Sequence, residues 1–319
     1  MSKSVLVIGN DADEYRTLIG ARFPTVEVHI APRSDAVEPA TAGTAAALFG
    51  FSNAVSDALV ARMPRLEWLQ FLSSGTDALH RLPSLGQNVF VTSTHGVHGP
   101  PVSEMAFLHM MVLARDYHRL YRQQQNAQWI EYDQPLLHKK TITILGVGLI
   151  AKALALRCKA FGMTVIGVSG TLRDEPGFDR IYPRSELKTA AGLADFFVLL
   201  IPLSPATEKI VNAEVLAALK PTAYLINMAR GGVVDEDALL AALREKKLAG
   251  AGLDAFRTEP LPPDHPFWRT EHLVMTPHVA GRSDSYAAMV WPILQNNIDC
   301  FLAGRPAEMV NATQRRRPA

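Results

Sequence analysis

Arg230, Asp254, Glu259 and His278 stand out in the second half of the chain. Arg230, Asp254 and His278 each follow closely on an apolar run, at 223–227, 251–253 and 273–276, and Glu259 lies five residues past Asp254. An arginine presents a planar cationic fork that matches a carboxylate through two hydrogen bonds. A histidine changes charge near neutral pH and can donate or accept a proton, and a neighbouring carboxylate such as Glu259 favours its charged form. Side by side, these groups suit proton transfer to or from an oxygen atom, with Arg230 as fixed positive charge where negative charge develops. Taken singly, each has a plain structural explanation: an arginine in a surface pair, an acid capping a helix, a histidine satisfied by a hydrogen bond.

A second constellation is Gly146-Val147-Gly148-Leu149-Ile150-Ala151. It lies between the apolar run 141–145 and a helical stripe at Ile150, Leu154, Arg157, Cys158 and Phe161 that ends at Gly162. Strand, glycine turn and helix in that order suit a dinucleotide. Gly146 permits the tight turn, Gly148 lets the backbone approach a pyrophosphate, and the small Ala151 lets helix and strand pack closely. Free amides and the dipole at the helix start then favour the phosphates. The next strand, 164–168, runs into Ser169-Gly170-Thr171-Leu172-Arg173, without the acid that would accept hydrogen bonds from the adenosine ribose. Such an end tolerates a 2′-phosphate, which Arg173 can pair and Ser169 and Thr171 can hydrogen-bond, so the reading favours NADP over NAD. The alternative leaves Arg173 in solvent and puts Asp174 or Glu175 on the ribose.

Groups delivered this way need parallel strands that end on the same side of a sheet. The runs 5–8, 26–30, 46–51 and 66–72, with a helical pattern at 55–63, predict βαβ units. Ser73-Ser74-Gly75-Thr76-Asp77 follows the fourth run and is either a ligand-facing loop or an ordinary turn. Pro100-Pro101 opens a helical pattern through Val102, Met105, Ala106, His109, Val112 and Leu113, expected to reach about Arg122. An irregular stretch, 126–137, follows, and a domain change is expected near the helix. A chain of 319 residues has room for two domains. Lys and Arg number 32 against 31 Asp and Glu, a formal net charge of +1, so no nucleic-acid partner is expected. Only Gln314-Arg315-Arg316-Arg317 is locally basic, which reads as a solvated end. Cys158 and Cys300 allow neither a disulfide framework nor a Cys-rich zinc site, and no metal is expected. The run 5–8 is too short for a signal segment, and 196–201 ends at Pro202, too short to cross a bilayer. A cytoplasmic protein without membrane association is expected.

Six pieces, in order and spacing, carry a resemblance. They are Gly146-Val147-Gly148-Leu149-Ile150, Pro202-Leu203-Ser204-Pro205-Ala206-Thr207, Ile226-Asn227-Met228-Ala229-Arg230-Gly231-Gly232-Val233-Val234-Asp235, Gly252-Leu253-Asp254-Ala255-Phe256, Glu259-Pro260-Leu261 and Thr276-Pro277-His278-Val279-Ala280-Gly281. The stretch 97–281 resembles the D-isomer-specific 2-hydroxyacid dehydrogenases, which include glyoxylate/hydroxypyruvate reductases, formate dehydrogenases and phosphoglycerate dehydrogenases. The first 95 residues match more loosely, mainly through 73–77, and the last helix, about 283–303, is again similar. The resemblance implies an α/β protein of two Rossmann-like domains with parallel sheets. An NAD(P)-binding domain, 98–285, would be inserted into a flavodoxin-like substrate domain, 1–97 and 286–319, with a cleft between them.

The implied activity is hydride transfer between NAD(P)H and a small 2-keto acid of glyoxylate or hydroxypyruvate type, giving the D-2-hydroxy acid. By resemblance, Arg230 binds the substrate carboxylate and carbonyl oxygen, His278 is the acid/base and Glu259 pairs with it. Asp254 would face the nicotinamide carboxamide, and Ser74, Gly75 and Thr76 would offer amides to the substrate carboxylate. The remaining cofactor contacts would come from Gly146, Gly148, Leu149, Ile150, Ser169, Thr171, Arg173, Pro202, Thr207, Met228, Ala229, Arg230, His278 and Gly281. A homodimer through the cofactor domains is implied, with Trp129 as core packing or an interface anchor. His95 and His98 read as polar groups at the hinge or cleft rim. Ala151 departs from the commoner third glycine, and Arg257 from the family's acidic or neutral residue. Two rivals stand beside the reductase: a nucleotide-sensing, co-repressor-like binding protein on the same fold, and an amino-acid dehydrogenase. The second would need a lysine acid/base, which these motifs lack.

Overall fold

The computed structural model describes residues 3–313, so the basic stretch Gln314-Arg315-Arg316-Arg317 lies outside the described residues. The chain divides into two compact units, Met1–Val97 with Ser283–Ala319, and His98–Arg282. The first contains β1 (Ser4–Ile8), α1 (Ala12–Arg22), β2 (Glu27–Ala31), α2 (Pro39–Thr44), β3 (Ala47–Gly50), α3 (Asp57–Val60), β4 (Trp68–Phe71) and β5 (Phe90–Thr92). Its five strands are all parallel, in the order β2-β1-β3-β4-β5. That is the doubly wound order of flavodoxin-like sheets.

The second unit runs through α4 (Gly99–Ala114), α5 (Tyr117–Gln125), β6 (Thr141–Leu145), α6 (Leu149–Ala160), β7 (Thr164–Ser169) and β8 (Arg180–Pro183). It continues with α7 (Leu187–Leu193), β9 (Phe196–Leu199), α8 (Ala213–Ala218), β10 (Tyr224–Asn227), α9 (Glu236–Arg244), β11 (Gly250–Leu253) and β12 (Leu273–Met275). Seven parallel strands lie in the order β12-β11-β10-β9-β6-β7-β8. The order reverses between β6 and β9, the switch point at which open parallel sheets bind ligands. The chain then returns to the first unit as α10 (Tyr286–Leu302). This is the expected two-unit α/β architecture with Rossmann-like parallel sheets.

Both sheets are buried on both faces, which is why their strands read as continuous apolar runs. In β1, Val5 and Val7 join the core with Tyr15 and Ile19 of α1 and Val290, Leu294 and Ile298 of α10, while Leu6 and Ile8 join the opposite core with Leu59 and Val60. In the second unit, Leu145, Phe197 and Leu225 pack with Leu187, Val215 and Leu239. Ile144, Val198 and Ile226 pack instead with Met110, Leu154 and Cys158. A buried polar network ties α10 to its sheet: Trp68 Nε1 donates to Thr92 Oγ1 (2.8 Å), Thr92 donates to Gln70 Oε1 (2.7 Å), and Asn297 Nδ2 reaches the same Gln70 oxygen (3.3 Å).

Several expectations are corrected. The long helix is two helices, because Asp116 stands between α4 and α5 at φ +46°, a left-handed conformation that Asp tolerates better than most residues. The pattern at 55–63 yields only the short α3, capped by Ser56 Oγ on Leu59 N (3.2 Å). In α6 the buried stripe is Ala151, Leu154, Ala155 and Cys158, whereas Phe161 is exposed and Arg157 half-buried. Trp129 is 92 % exposed, which rules out core packing for it. Among the described residues no helix is long and apolar enough to cross a membrane.

Candidate active site

The loop after β10 is shaped by its own last residue. Asn227 is buried, its Oδ1 accepts from Ala229 N (3.0 Å) and its Nδ2 donates to Arg230 O (3.0 Å). Arg230 then leaves the turn half-buried, with Nη1 on Ala229 O (2.8 Å). A Cβ on the next residue, Gly231, would sit 1.9 Å from the carbonyl carbon of Phe256 and 2.1 Å from Arg257 N. Only a residue without a side chain permits that approach, and through it the loop after β10 meets the loop after β11.

That second loop carries Glu259. Its Oε1 accepts from Phe256 N (2.9 Å) and its Oε2 lies 2.7 Å from His278 Nδ1. Partial burial pushes the Glu259 carboxyl up, but the bonds from His278 and Phe256 N, with the charges of His278 and Arg230, bring it below its ordinary value. The carboxylate therefore stays ionised and can only accept, so Nδ1 of His278 carries a proton and Nε2 is left for exchange with a ligand. His278 itself sits at φ +52°, in the left-handed region that residues with a Cβ rarely adopt.

Asp254 serves this loop from inside. Its buried carboxylate accepts from Thr276 Oγ1 (2.6 Å) and Val279 N (3.0 Å) at Oδ1, and from Ala280 N (3.0 Å) at Oδ2. These contacts anchor the chain on either side of His278, a role beside the expected one toward a nicotinamide amide. Thr276 is joined here by His109, whose Nε2 is 3.1 Å from Thr276 Oγ1 and which the sequence does not mark as a site residue. His109 reads in sequence as one member of an apolar helical stripe, and nothing in its spacing marks the contact.

The glycine turn fits a dinucleotide. Gly146 has φ +102°, and a Cβ there would meet Leu200 O at 2.6 Å, so glycine is required by both conformation and close approach. Gly148 caps α6, and a Cβ there would meet nothing within 4 Å, which leaves open space against the first amides of the helix. Leu149 is exposed and Ile150 half-buried beside it. At the end of β7, Ser169 Oγ accepts from Thr171 N (3.2 Å). Arg173 donates through Nη2 to Val147 O of the glycine turn and pairs through Nε with Glu175 (3.2 Å), which also holds Lys152 Nζ (2.9 Å). The Lys152 bond first, and Arg173 next, lower the Glu175 carboxyl.

Thr207 is buried, its hydroxyl donating to Pro202 O (2.7 Å) and accepting from Ser204 N (2.8 Å), so it shapes the loop after β9. Met228 and Ala229 are buried in the turn leading to Arg230, and a Cβ on Gly281 would meet the His98 ring at 3.1 Å. Arg257 N is held by Glu236 Oε1 (2.7 Å). In the first unit, Ser74, Gly75 and Thr76 are half-buried after β4. Ser74 Oγ lies 3.2 Å from His95 Nδ1, and Ser73 Oγ donates to Gly75 O (3.2 Å). Among the described residues no group of three His, Cys, Asp or Glu side chains is placed to hold a metal ion.

Comparison with known proteins identifies the family. The family model for the D-isomer specific 2-hydroxyacid dehydrogenase NAD binding domain matches residues 107–280. A glyoxylate reductase of Korarchaeum cryptofilum is 31 % identical over 255 residues, 78 % of this chain and 77 % of that protein. The crystal structure of a D-isomer specific 2-hydroxyacid dehydrogenase family protein from Aeromonas salmonicida is similar with a TM-score of 0.89 at 31 % identity, covering 98 % of this chain and 99 % of that one. The NADPH-dependent glyoxylate/hydroxypyruvate reductase of Sinorhizobium meliloti, solved with NADP and sulfate, is similar with a TM-score of 0.83 at 26 % identity, covering 98 % of both chains. With its glycine turn and its Arg, Glu and His placed as described, the chain belongs to the D-isomer-specific 2-hydroxyacid dehydrogenase family.

Proposed function

We propose that the chain is an NADPH-preferring 2-ketoacid reductase acting on small substrates of glyoxylate or hydroxypyruvate type and forming the D-2-hydroxy acid. Family membership supports NAD(P)H-dependent 2-keto-acid reduction, and relatives solved with NADPH or NADP support the cofactor. The observation that carries the reading is the 2.7 Å contact between His278 Nδ1 and Glu259, with Arg230 in the adjoining loop. Gly146, Gly148, Leu149 and Ile150 would hold the pyrophosphate, and Ser169, Thr171 and Arg173 the adenosine end, with Pro202, Thr207, Met228, Ala229, Asp254 and Gly281 forming the rest of the cofactor wall. When bound, the nicotinamide supplies the hydride.

The side chains of this protein do the rest. Arg230 binds the carboxylate and faces the carbonyl oxygen as negative charge develops there. His278 gives that oxygen a proton from Nε2, while Glu259 holds the ring and balances its charge. In reverse, neutral His278 takes the hydroxyl proton. Ser74, Gly75 and Thr76 are assigned to the substrate carboxylate on the family resemblance. A homodimer through the cofactor domain is supported by apolar side chains exposed on the second unit, Tyr117, Tyr121, Trp129, Ile130 and Leu136, of which Trp129 and Ile130 line a groove of about 650 Å³.

His278→Ala is expected to lower turnover of glyoxylate or hydroxypyruvate with NADPH by about a thousandfold or more, while NADPH binding stays within a few-fold. Wild-type turnover in that variant would sink the mechanism. Steady-state kinetics over a panel of 2-keto acids, each with NADPH and NADH, decides substrate and cofactor preference together.

A further inference from the structure

We propose that His109 and Thr276 are positioning residues for His278, acting through Asp254 to hold the turn that carries the reacting imidazole. The proposal rests on the reading of His278 as the acid/base. Three donors converge on the Asp254 carboxylate: Thr276 Oγ1 precedes His278 in the chain, and the amides of Val279 and Ala280 follow it. The turn is wrapped around one buried anion, and it needs that hold, because His278 keeps a left-handed backbone at φ +52°.

Thr276 has a single hydroxyl proton. A carboxylate only accepts, so that proton is committed to Asp254 at 2.6 Å, and the hydroxyl oxygen must accept from His109 Nε2–H at 3.1 Å. His109 therefore carries its proton on Nε2. Its Nδ1 faces Gly252, where a Cβ would sit 2.6 Å from that atom, so the strand leaves room for the ring only because residue 252 is glycine. His109 is wholly buried on α4, and burial pushes its imidazole down to about 4, against the pull of Asp254 and the Gly252 backbone. It acts at neutral pH as an uncharged donor, giving direction to Thr276 without adding a second charge beside the carboxylate. The result is a hydrogen-bonded line from α4 through Thr276 and Asp254 to the amides that follow His278, anchored on the buried His109 and Asp254.

The test uses the full-length protein with NADPH and glyoxylate. Thr276→Val, nearly isosteric, removes the relay hydroxyl, and His109→Met removes its donor; Thr276→Ser and His109→Gln keep one. Thr276→Val and His109→Met are expected to lower kcat about tenfold or more, with the NADPH dissociation constant within about threefold of wild type. Thr276→Ser and His109→Gln should return kcat to within about threefold. The double variant should be no worse than Thr276→Val alone, because both act on one line. In a His278→Ala background neither substitution should change the residual rate. Wild-type kcat in Thr276→Val overturns the proposal, and so does a further fall in the His278→Ala background. If His109→Met does not fold, the Thr276 pair decides. Wild-type turnover in His278→Ala alone would remove the acid/base reading instead, so the two failures are distinguishable.

Discussion

Glu175 holds two cations at once, Lys152 and Arg173, and Arg173 in turn touches the glycine turn through Val147 O. A 2′-phosphate would have to draw those cations away from a carboxylate that already satisfies them. Arg173→Ala should therefore weaken NADPH binding about tenfold or more and NADH hardly at all, whereas Glu175→Gln should tighten NADPH by a few-fold. Fluorescence titration of both cofactors measures this, and equal losses for NADPH and NADH in Arg173→Ala would dismiss the 2′-phosphate reading. The sequence shows Arg173 and the missing acid at Ser169, because both are matters of residue type and position. It does not show that Glu175 folds back on Arg173, because a contact two residues away in a loop depends on backbone angles that no periodicity encodes. Arg230 and His278 are legible for the opposite reason: each follows closely on an apolar run, and runs that end together bring their loops together, whereas Glu259 is reached through its place in the family motif.

Among elements, the long-range contact that assembles the site is made by a glycine. The loop after β10 touches the loop after β11 at Gly231, against backbone atoms of Phe256 and Arg257 that have no flexible end to move aside. Gly231→Ala is expected to cost about 2 kcal/mol or more of stability. It should also lower kcat, because Glu259 sits three residues beyond the displaced Phe256. Thermal melting and turnover on one preparation check both, and a wild-type melting temperature would show that the loops yield more easily than their geometry says. Parallel strands are legible, since burial on both faces writes them as largely apolar runs, unbroken in β9 and interrupted by threonine in β6. The edge strand β8, ending in Pro183, and the three-residue β5 carry no such run and were missed. The break between α4 and α5 is not legible because no Gly or Pro marks it and only the left-handed backbone of Asp116 interrupts the helix.

Across the whole molecule, the buried His109 couples the fold to pH. Its imidazole titrates at about 4 in the folded chain against an ordinary 6.5. Between those values the unfolded chain binds a proton that the folded chain refuses. The contribution is therefore intact above pH 6.5 and is lost progressively as the pH falls to about 4, reaching on the order of 3 kcal/mol. Urea unfolding from pH 7.5 to 4 should show this loss, and His109→Gln should flatten it; an unchanged slope would argue that other groups dominate the acid limb. The overall plan, two α/β units with one interrupting the other, was readable only through the family resemblance. Length and composition allow two domains but say nothing of α10 returning to the first sheet. That return has a consequence during synthesis. All seven strands of the second sheet leave the ribosome before α10 does, so the first strands made are the last to be fully covered. For the roughly 10 to 40 seconds needed to add the 185 residues of His98–Arg282, at about 5–20 residues per second, the nascent chain carries an apolar sheet face short of one helix. That face offers chaperones a place to hold until Val290, Leu294 and Ile298 arrive.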